Sequence, residues 1–310
     1  MKRRVAARLP QTADGVKLLD YLCCRFAYHD RTEWQEKIQR GEIALDENIC
    51  REPLTVLHKN MLMEYFPASL IEPEVNRNYR IIYEDDHLLV IDKPGNLPVH
   101  PAGPYFANTL WALLADANYG KVHIVNRLDR ETSGLLIAAK TGRTAGEISK
   151  NFGTMEKCYT VLVHGVFSDS FNASGWLLPD EDSPVKKKQK FVFSASECSD
   201  AVAVETLFTP LQSNEKYTLL SARLRTGRMH QIRATLHGLG FPVVGDKLYG
   251  LNEEFYRRFA QDTLTPADWQ TLVLPRQALH CCKLSFEHPS SGEVLTFTSD
   301  PPGEITALLH

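Results

Sequence analysis

From Tyr79 onward, short alternating or wholly apolar segments follow one another, and no connection between them repeats as a strand–helix–strand unit. That pattern constrains the fold of this chain more than any other feature. Parallel neighbours need crossovers of a dozen or more residues, usually helical, whereas antiparallel neighbours are joined by short turns. Strands are expected over residues 80–83, 88–91, 135–139, 159–163, 201–208, 217–225, 279–286 and 294–298, with helices over 109–115 and 145–152. Strands outnumber helices, which predicts an α+β fold: a mixed, mainly antiparallel sheet with helices packed on it. Residues 135–139 are apolar throughout, as in a strand covered on both faces.

The first part of the chain reads differently. Residues 11–66 form a small α+β unit of their own. Val16, Leu19, Leu22, Cys23 and Phe26 recur at helical spacing. Thr32-Glu33-Trp34-Gln35 fits the start of a second helix as a capping box, with Ile38 inward and Gly41 just past its end. Its polar side carries Arg31, Lys37 and Arg40. Residues 42–45 alternate like a strand, and Asp46-Glu47-Asn48 is the turn after it. Residues 67–78, with Pro67, Pro73, Asn76 and Asn78, read as a linker, leaving 79–310 as the larger domain.

Composition sets outer limits. Hydrophobic residues make up 43% of the chain and charged residues 24%, the values of an ordinary globular protein. No apolar run approaches the roughly 18 residues that span a bilayer. Met1-Lys2-Arg3-Arg4 is not followed by an apolar stretch, so a secretory signal is not expected and the cytoplasm is. The seven cysteines are odd in number, include two adjacent pairs and form no C-x-x-C, which predicts reduced thiols. His280-Cys281-Cys282 is a poor metal site, because consecutive strand residues point to opposite faces; no metal is expected.

The formal net charge of −3 means that any nucleic acid must meet a local basic face. Residues 223–258 hold Arg223, Arg225, Arg228, Arg233, Lys247, Arg257 and Arg258 against Asp246, Glu253 and Glu254, which by charge alone reads first as a solvated surface and second as such a face. The lysines at 186, 187, 188 and 190 read first as a solvated loop and second as phosphate contacts.

Three segments carry chemistry. In Arg127-Leu128-Asp129-Arg130-Glu131-Thr132-Ser133-Gly134, a carboxylate sits between two arginines in a turn leading into the apolar strand. Guanidinium groups keep such an acid ionised and also attract phosphate. Lys157-Cys158-Tyr159 places a tyrosine on a strand. Gly227-Arg228-Met229-His230-Gln231-Ile232-Arg233 opens a helix from about Met229, with His230, Arg233 and His237 on one stripe. Such a stripe can meet a carboxylate or phosphates. Gly245-Asp246 reads as a turn.

Together these segments resemble the RluA-type family of RNA pseudouridine synthases. Asp92-Lys93-Pro94-Gly95, Pro98-Val99-His100-Pro101, Gly245-Asp246 with Tyr249-Gly250, Leu279-His280 and His288-Pro289 fit the same pattern, over residues 79–298. Residues 11–66 look like the small ribosomal-protein-like RNA-binding domain that often precedes such catalytic domains. Asn126, Met229 and Thr235 depart from the usual residues of the pattern. The resemblance implies the pseudouridine synthase fold and an isomerase acting on uridines of structured RNA, a stem-loop of rRNA or tRNA. The N-glycosidic bond breaks, the base turns, and it is rejoined through carbon 5. The product is an isomer, so no cofactor is implied.

By the same likeness Asp129 is the catalytic carboxylate, Arg233 pairs with it, and Tyr159 stacks on the base or accepts a proton late in the reaction. Tyrosine, with an ordinary pKa near 10, is a poor base unless its surroundings help. Arg127 enters the RNA where the target nucleotide leaves the stack. Arg130, Lys157, Arg228 and His230 are expected to contact or position RNA. A monomer is expected, without DNA or membrane partners. One alternative is a catalytically inactive RNA-binding protein of this fold, against which the joint presence of Asp129, Tyr159 and Arg233 speaks. Another is a hydrolase using Asp129 and His230, which lacks a nucleophile elbow and a second acid.

Overall fold

The computed structural model describes residues 5–26, 29–66, 72–194 and 200–310. The chain divides into two compact units, 1–73 with 103–107, and 74–102 with 108–310.

In the first unit, strands β1 (Val5–Arg8), β2 (Ile43–Leu45), β3 (Asn48–Cys50) and β4 (Leu62–Tyr65) form an antiparallel sheet in the order β1-β4-β2-β3. Helices α1 (Leu18–Arg25) and α2 (Arg31–Gln39) share a core with it. Trp34 and Ile38 fill that core from α2. The capping box lies two residues earlier than Thr32. The Asp30 carboxylate accepts from Glu33 N at 2.8 Å, and the Glu33 side chain accepts from Asp30 N at 2.9 Å. Gly41, with φ +77°, ends the helix. Asp46 and Glu47 both have positive φ, the requirement of a two-residue hairpin between β2 and β3. Residues 103–107 join this unit, and Glu72 accepts from the backbone N–H groups of Phe106 and Ala107. Of the expected linker, residues 67–71 lie outside the described residues.

The second unit begins with β5 (Arg80–Glu84), β6 (Leu88–Lys93), α3 (Leu110–Leu114), β7 (His123–Ile124), β8 (Ser133–Ala139), α4 (Gly142–Lys150) and β9 (Glu156–His164). It continues through β10 (Phe171–Pro179), β11 (Gln189–Val192), β12 (Val202–Ser213), β13 (Tyr217–Leu224), α5 (Gln231–Gly238), α6 (Glu254–Ala260) and α7 (Pro266–Leu272). It ends with β14 (Leu279–Glu287), β15 (Val294–Thr298) and α8 (Gly303–Thr306). The sheet runs β11-β10-β12-β13-β9-β14-β8-β6-β5, with β15 on β14 and β7 on β8. The fold is α+β with a mixed, mainly antiparallel sheet: among the described strands only β14 and β8 pair in parallel.

That junction lies next to the Asp129 turn. Every residue of β8 is buried, as its unbroken apolar run requires. Gly134 has φ +106°, and a Cβ there would collide with the backbone of Cys281, so β14 can approach only a glycine.

Candidate active site

Asp129 sits in the loop between β7 and β8, and its position is set at several points. At the entrance, Asn126 takes up the sheet pattern: its side-chain oxygen accepts from Ile137 N at 2.7 Å. The Asp129 carbonyl accepts from Thr132 N at 3.2 Å, closing the turn. The next carbonyl, of Arg130, accepts from Leu97 N at 3.0 Å and from the Lys93 ammonium at 3.2 Å. Lys93 is wholly buried and also donates to the carbonyls of Pro94 and Leu97. Burial and the nearby Arg276 charge pull its pKa down to about 7.

The Asp129 side chain faces α5. Arg233 Nη1 donates to its Oδ2 at 2.7 Å. The other edge of the same guanidinium grips Asp246, Nε to Oδ2 at 2.6 Å and Nη2 to Oδ1 at 2.9 Å. Asp246 is itself fixed by the backbone N–H groups of Leu248 and Tyr249, both 2.9 Å from Oδ1. Arg233 is therefore a bridge between a fully buried carboxylate and one whose side chain is 32% exposed. Gln277 donates to Thr132 Oγ1 at 2.6 Å and reaches Asp129 Oδ2 at 3.4 Å. Burial alone would raise the Asp129 pKa. The Arg233 charge and hydrogen bond outweigh it and bring the pKa down to about 2.

The expected stripe on α5 exists, but its three residues converge on Tyr249. The Arg233 guanidinium lies 4.9 Å over the Tyr249 ring, His237 Nδ1 donates to the Tyr249 carbonyl at 3.0 Å, and His230 Nδ1 is 3.0 Å from the Tyr249 hydroxyl. The Tyr249 oxygen also accepts from Gln189 N at 2.9 Å, and which of His230 Nδ1 and the Tyr249 hydroxyl donates to the other depends on the imidazole tautomer. The other ring nitrogen, Nε2, is 3.8 Å from Asp129 Oδ1. Burial and the Arg233 charge push the His230 pKa down to about 4, so His230 is neutral near pH 7. It acts as a polar, not a cationic, neighbour of the carboxylate. Its φ of +56° turns the chain into α5.

Tyr159 lies on β9 between Ala222 of β13 and Cys281 of β14. Its side chain is nearly buried, and burial, Cys281 and Asp129 all push its pKa well above the ordinary value. These surroundings do not give the lowering that a proton acceptor would need. The phenol stays protonated, close enough to feel the Asp129 charge.

The remaining expected RNA contacts separate. Arg127 and Arg228 are exposed. Arg127 is near enough to His100 to add to the effect of burial in lowering that pKa. The Arg228 turn is pinned by buried Gln231, whose side-chain oxygen accepts from Arg228 N at 3.0 Å. Arg130 is engaged inside the fold, donating to Glu131 at 2.9 Å and lying 4.9 Å over the Phe259 ring. Lys157 is a correction: it is 2% exposed, and its ammonium donates to the carbonyls of Phe152 at 2.8 Å and Met155 at 3.0 Å. It ties the α4–β9 connection together and does not face solvent. In the lysine-rich stretch, Lys188 is likewise buried, paired with Glu253 at 2.6 Å and Asp180 at 3.3 Å.

His280 spans Ser133 Oγ and the Ser299 carbonyl with its two nitrogens, each 3.0 Å away. Among the described residues, no group of three His, Cys, Asp or Glu side chains is placed to hold a metal ion. No described helix is long and apolar enough to cross a membrane. Sequence reasoning missed Gln277, named Tyr249 only as part of the family pattern without a role, and left Asp246 as a turn residue. The signal for Asp246 was a carboxylate held by Gly245 amid arginines; Gln277 had none.

A sequence model described as RNA pseudouridylate synthase matches residues 87–238. The Pseudomonas aeruginosa ribosomal large subunit pseudouridine synthase D is 31% identical over 98% of this chain and 94% of its own length. The Nitrosomonas europaea protein of the same name is 35% identical over 74% of this chain, a match that spans 64% of that relative. The Saccharomyces cerevisiae tRNA pseudouridine(31) synthase is 32% identical over 76% of this chain and 67% of its own. Among solved structures, human RNA pseudouridylate synthase domain containing 1 superposes with a TM-score of 0.58 at 22% identity, covering 75% of this chain and 87% of that one, a likeness of fold.

Proposed function

We propose, for a chain that belongs to the RNA pseudouridylate synthase family and isomerises uridine to pseudouridine in RNA, that Asp129 is the carboxylate that drives the reaction. One observation carries this reading: an acid one-third open to solvent, yet held ionised by Arg233, whose other edge is locked on buried Asp246. An ionised carboxylate can act on the ribose or the base as the bond from C1′ to N1 breaks. The base then turns, C1′ bonds to C5, the C5 proton leaves, and N1 regains one. Atoms and electrons balance without a co-reactant.

Tyr159 offers a ring face to the displaced base and, as a protonated phenol, a hydrogen bond. Arg127, two residues before Asp129, and Arg228, five before Arg233, are both exposed and meet the RNA backbone or fill the space the nucleotide vacates. The first compact unit is read as an RNA-binding module. Large-subunit ribosomal RNA is the first substrate to try, because the Pseudomonas relative matches nearly end to end; tRNA is the second. We read the protein as a monomer, and an RNA substrate supports a cytoplasmic site.

The test is release of tritium from C5-tritiated uridine in large-subunit rRNA and tRNA transcripts, with no added cofactor. The unaltered protein releases tritium; Asp129→Asn releases none above background. Equal release by both proteins would overturn the assignment of Asp129.

A further inference from the structure

Asp129 is followed by Glu131, a half-buried carboxylate that faces neither Arg233 nor solvent. Two cations hold it. Lys247 Nζ donates to Glu131 Oε1 at 3.0 Å and Oε2 at 3.1 Å, and Arg130 Nη2 donates to Oε1 at 2.9 Å. Both cations lie over one aromatic ring. The Arg130 guanidinium is 4.9 Å from the Phe259 centroid, and the Lys247 ammonium is 4.7 Å from it. The Lys247 ammonium is also 5.6 Å from the Trp269 ring and donates to the Pro275 carbonyl at 2.7 Å.

Phe259 and Trp269 belong to α6 and α7, a helix pair inserted between Tyr249 and β14. This pair is tied together by contacts of its own. Arg258 bridges to both Asp268 oxygens at 2.9 and 3.1 Å, and Thr265 and Asp268 form a capping box on α7. Phe259 and Trp269 meet edge to face, their centroids 6.4 Å apart. The Glu131 carbonyl accepts from Arg276 Nη1 at 3.0 Å. The residue two beyond Asp129 is thus held at its carboxylate by Lys247 and Arg130 and at its carbonyl by Arg276. A buried lysine and an arginine converging on one ring have lost most of their hydration, and the ring face replaces part of it.

We propose that Phe259 is a positioning residue for the isomerisation: through Lys247, Arg130 and Glu131 it sets where the Asp129 carboxylate stands. The inference rests on the reading of Asp129 as the catalytic acid. It also gives Arg130 a place in the protein's own scaffold in place of the RNA contact expected from the sequence.

The test compares Phe259→Leu, which fills similar space without a ring, with Phe259→Tyr, which keeps the ring. Both are assayed by tritium release at several RNA concentrations, beside the unaltered protein and Asp129→Asn. Loss of two cation–ring contacts and of carboxylate placement should lower kcat of Phe259→Leu by about tenfold, with KM within about twofold. Phe259→Tyr should keep kcat within about twofold of the unaltered protein, because its ring face is retained. Lys247→Met, which keeps the stem over the rings and removes the charge, should reproduce the kcat loss and carries the test if Phe259→Leu is unstable. Unchanged kcat in Phe259→Leu and Lys247→Met, equal loss in the Leu and Tyr variants, or a change in KM alone would overturn the proposal. Full activity of Asp129→Asn would instead overturn the reading beneath it.

Discussion

Helix α2 and the Asp129 loop both carry arginines paired with acids, yet the pairs differ in kind. On α2, Arg40 meets Glu36 at 2.9 Å and Arg31 meets Asp20 at 2.9 Å, with both arginine side chains about 60% exposed. Each pair stands alone in water, where attraction is nearly cancelled by hydration and by the entropy of ordering two long side chains. Around Asp129, Arg233 is 9% exposed and serves two carboxylates with a fixed fork, while Asp246 is entirely buried. Such charges cannot be rehydrated in place, so removing one leaves its partner stranded. The same chemistry yields solubility in one region and a fixed geometry in the other.

The largest break in this comparison comes from Arg233→Lys. A single ammonium cannot reproduce the fork, so Asp129 loses its placement while Asp246 keeps only backbone donors. We expect kcat to fall by about 100-fold or more in the tritium assay, a size consistent with misplacing a reacting group. Activity within a factor of two of the unaltered protein would mean that the fork is not what places the carboxylate. The smallest effect comes from Arg40→Ala. Loss of an exposed i,i+4 pair should change unfolding stability by under about 0.5 kcal/mol and leave kcat unchanged on a minimal stem-loop. A shift of several kcal/mol in chemical denaturation would show that the α2 pairs are structural after all.

The sheet was legible wherever the chain alternated or stayed apolar. Residues 294–298 form β15 as expected, and the neighbouring expectations for β8, β9 and β13 differ from the structure only at their ends. Strand β10 was not, because Asn172, Ser174 and Gly175 dilute its pattern. Gly175 is there because β11 crosses close by: a Cβ would press on the Val192 carbonyl and the Phe191 ring. In the site, Asp129 and Arg233 were legible from their motifs. What escaped was the state of individual polar groups. Lys157 and Lys188 read as surface residues and Lys93 received no role, since a sequence does not show which carbonyls or acids converge on an ammonium. His230 read as a cation, and only its burial beside Arg233 makes it neutral. The α2 cap moved to Asp30 because that residue's carboxylate, not the Thr32 hydroxyl, reaches a free N–H of the first turn.

The central claim, that Arg233 keeps Asp129 ionised, is open to direct titration. Carbon-13 NMR of labelled protein, with the Asp129 carboxyl identified by its absence in Asp129→Asn, follows one resonance as pH falls. The folded pKa lies below the ordinary value of 3.8, at about 2, so the carboxylate stays charged as pH falls and its stabilising pair is lost only on approaching pH 2. The account predicts a resonance that does not move between pH 8 and about pH 4, as a group with so low a pKa requires. A midpoint at or above 3.8 would contradict it.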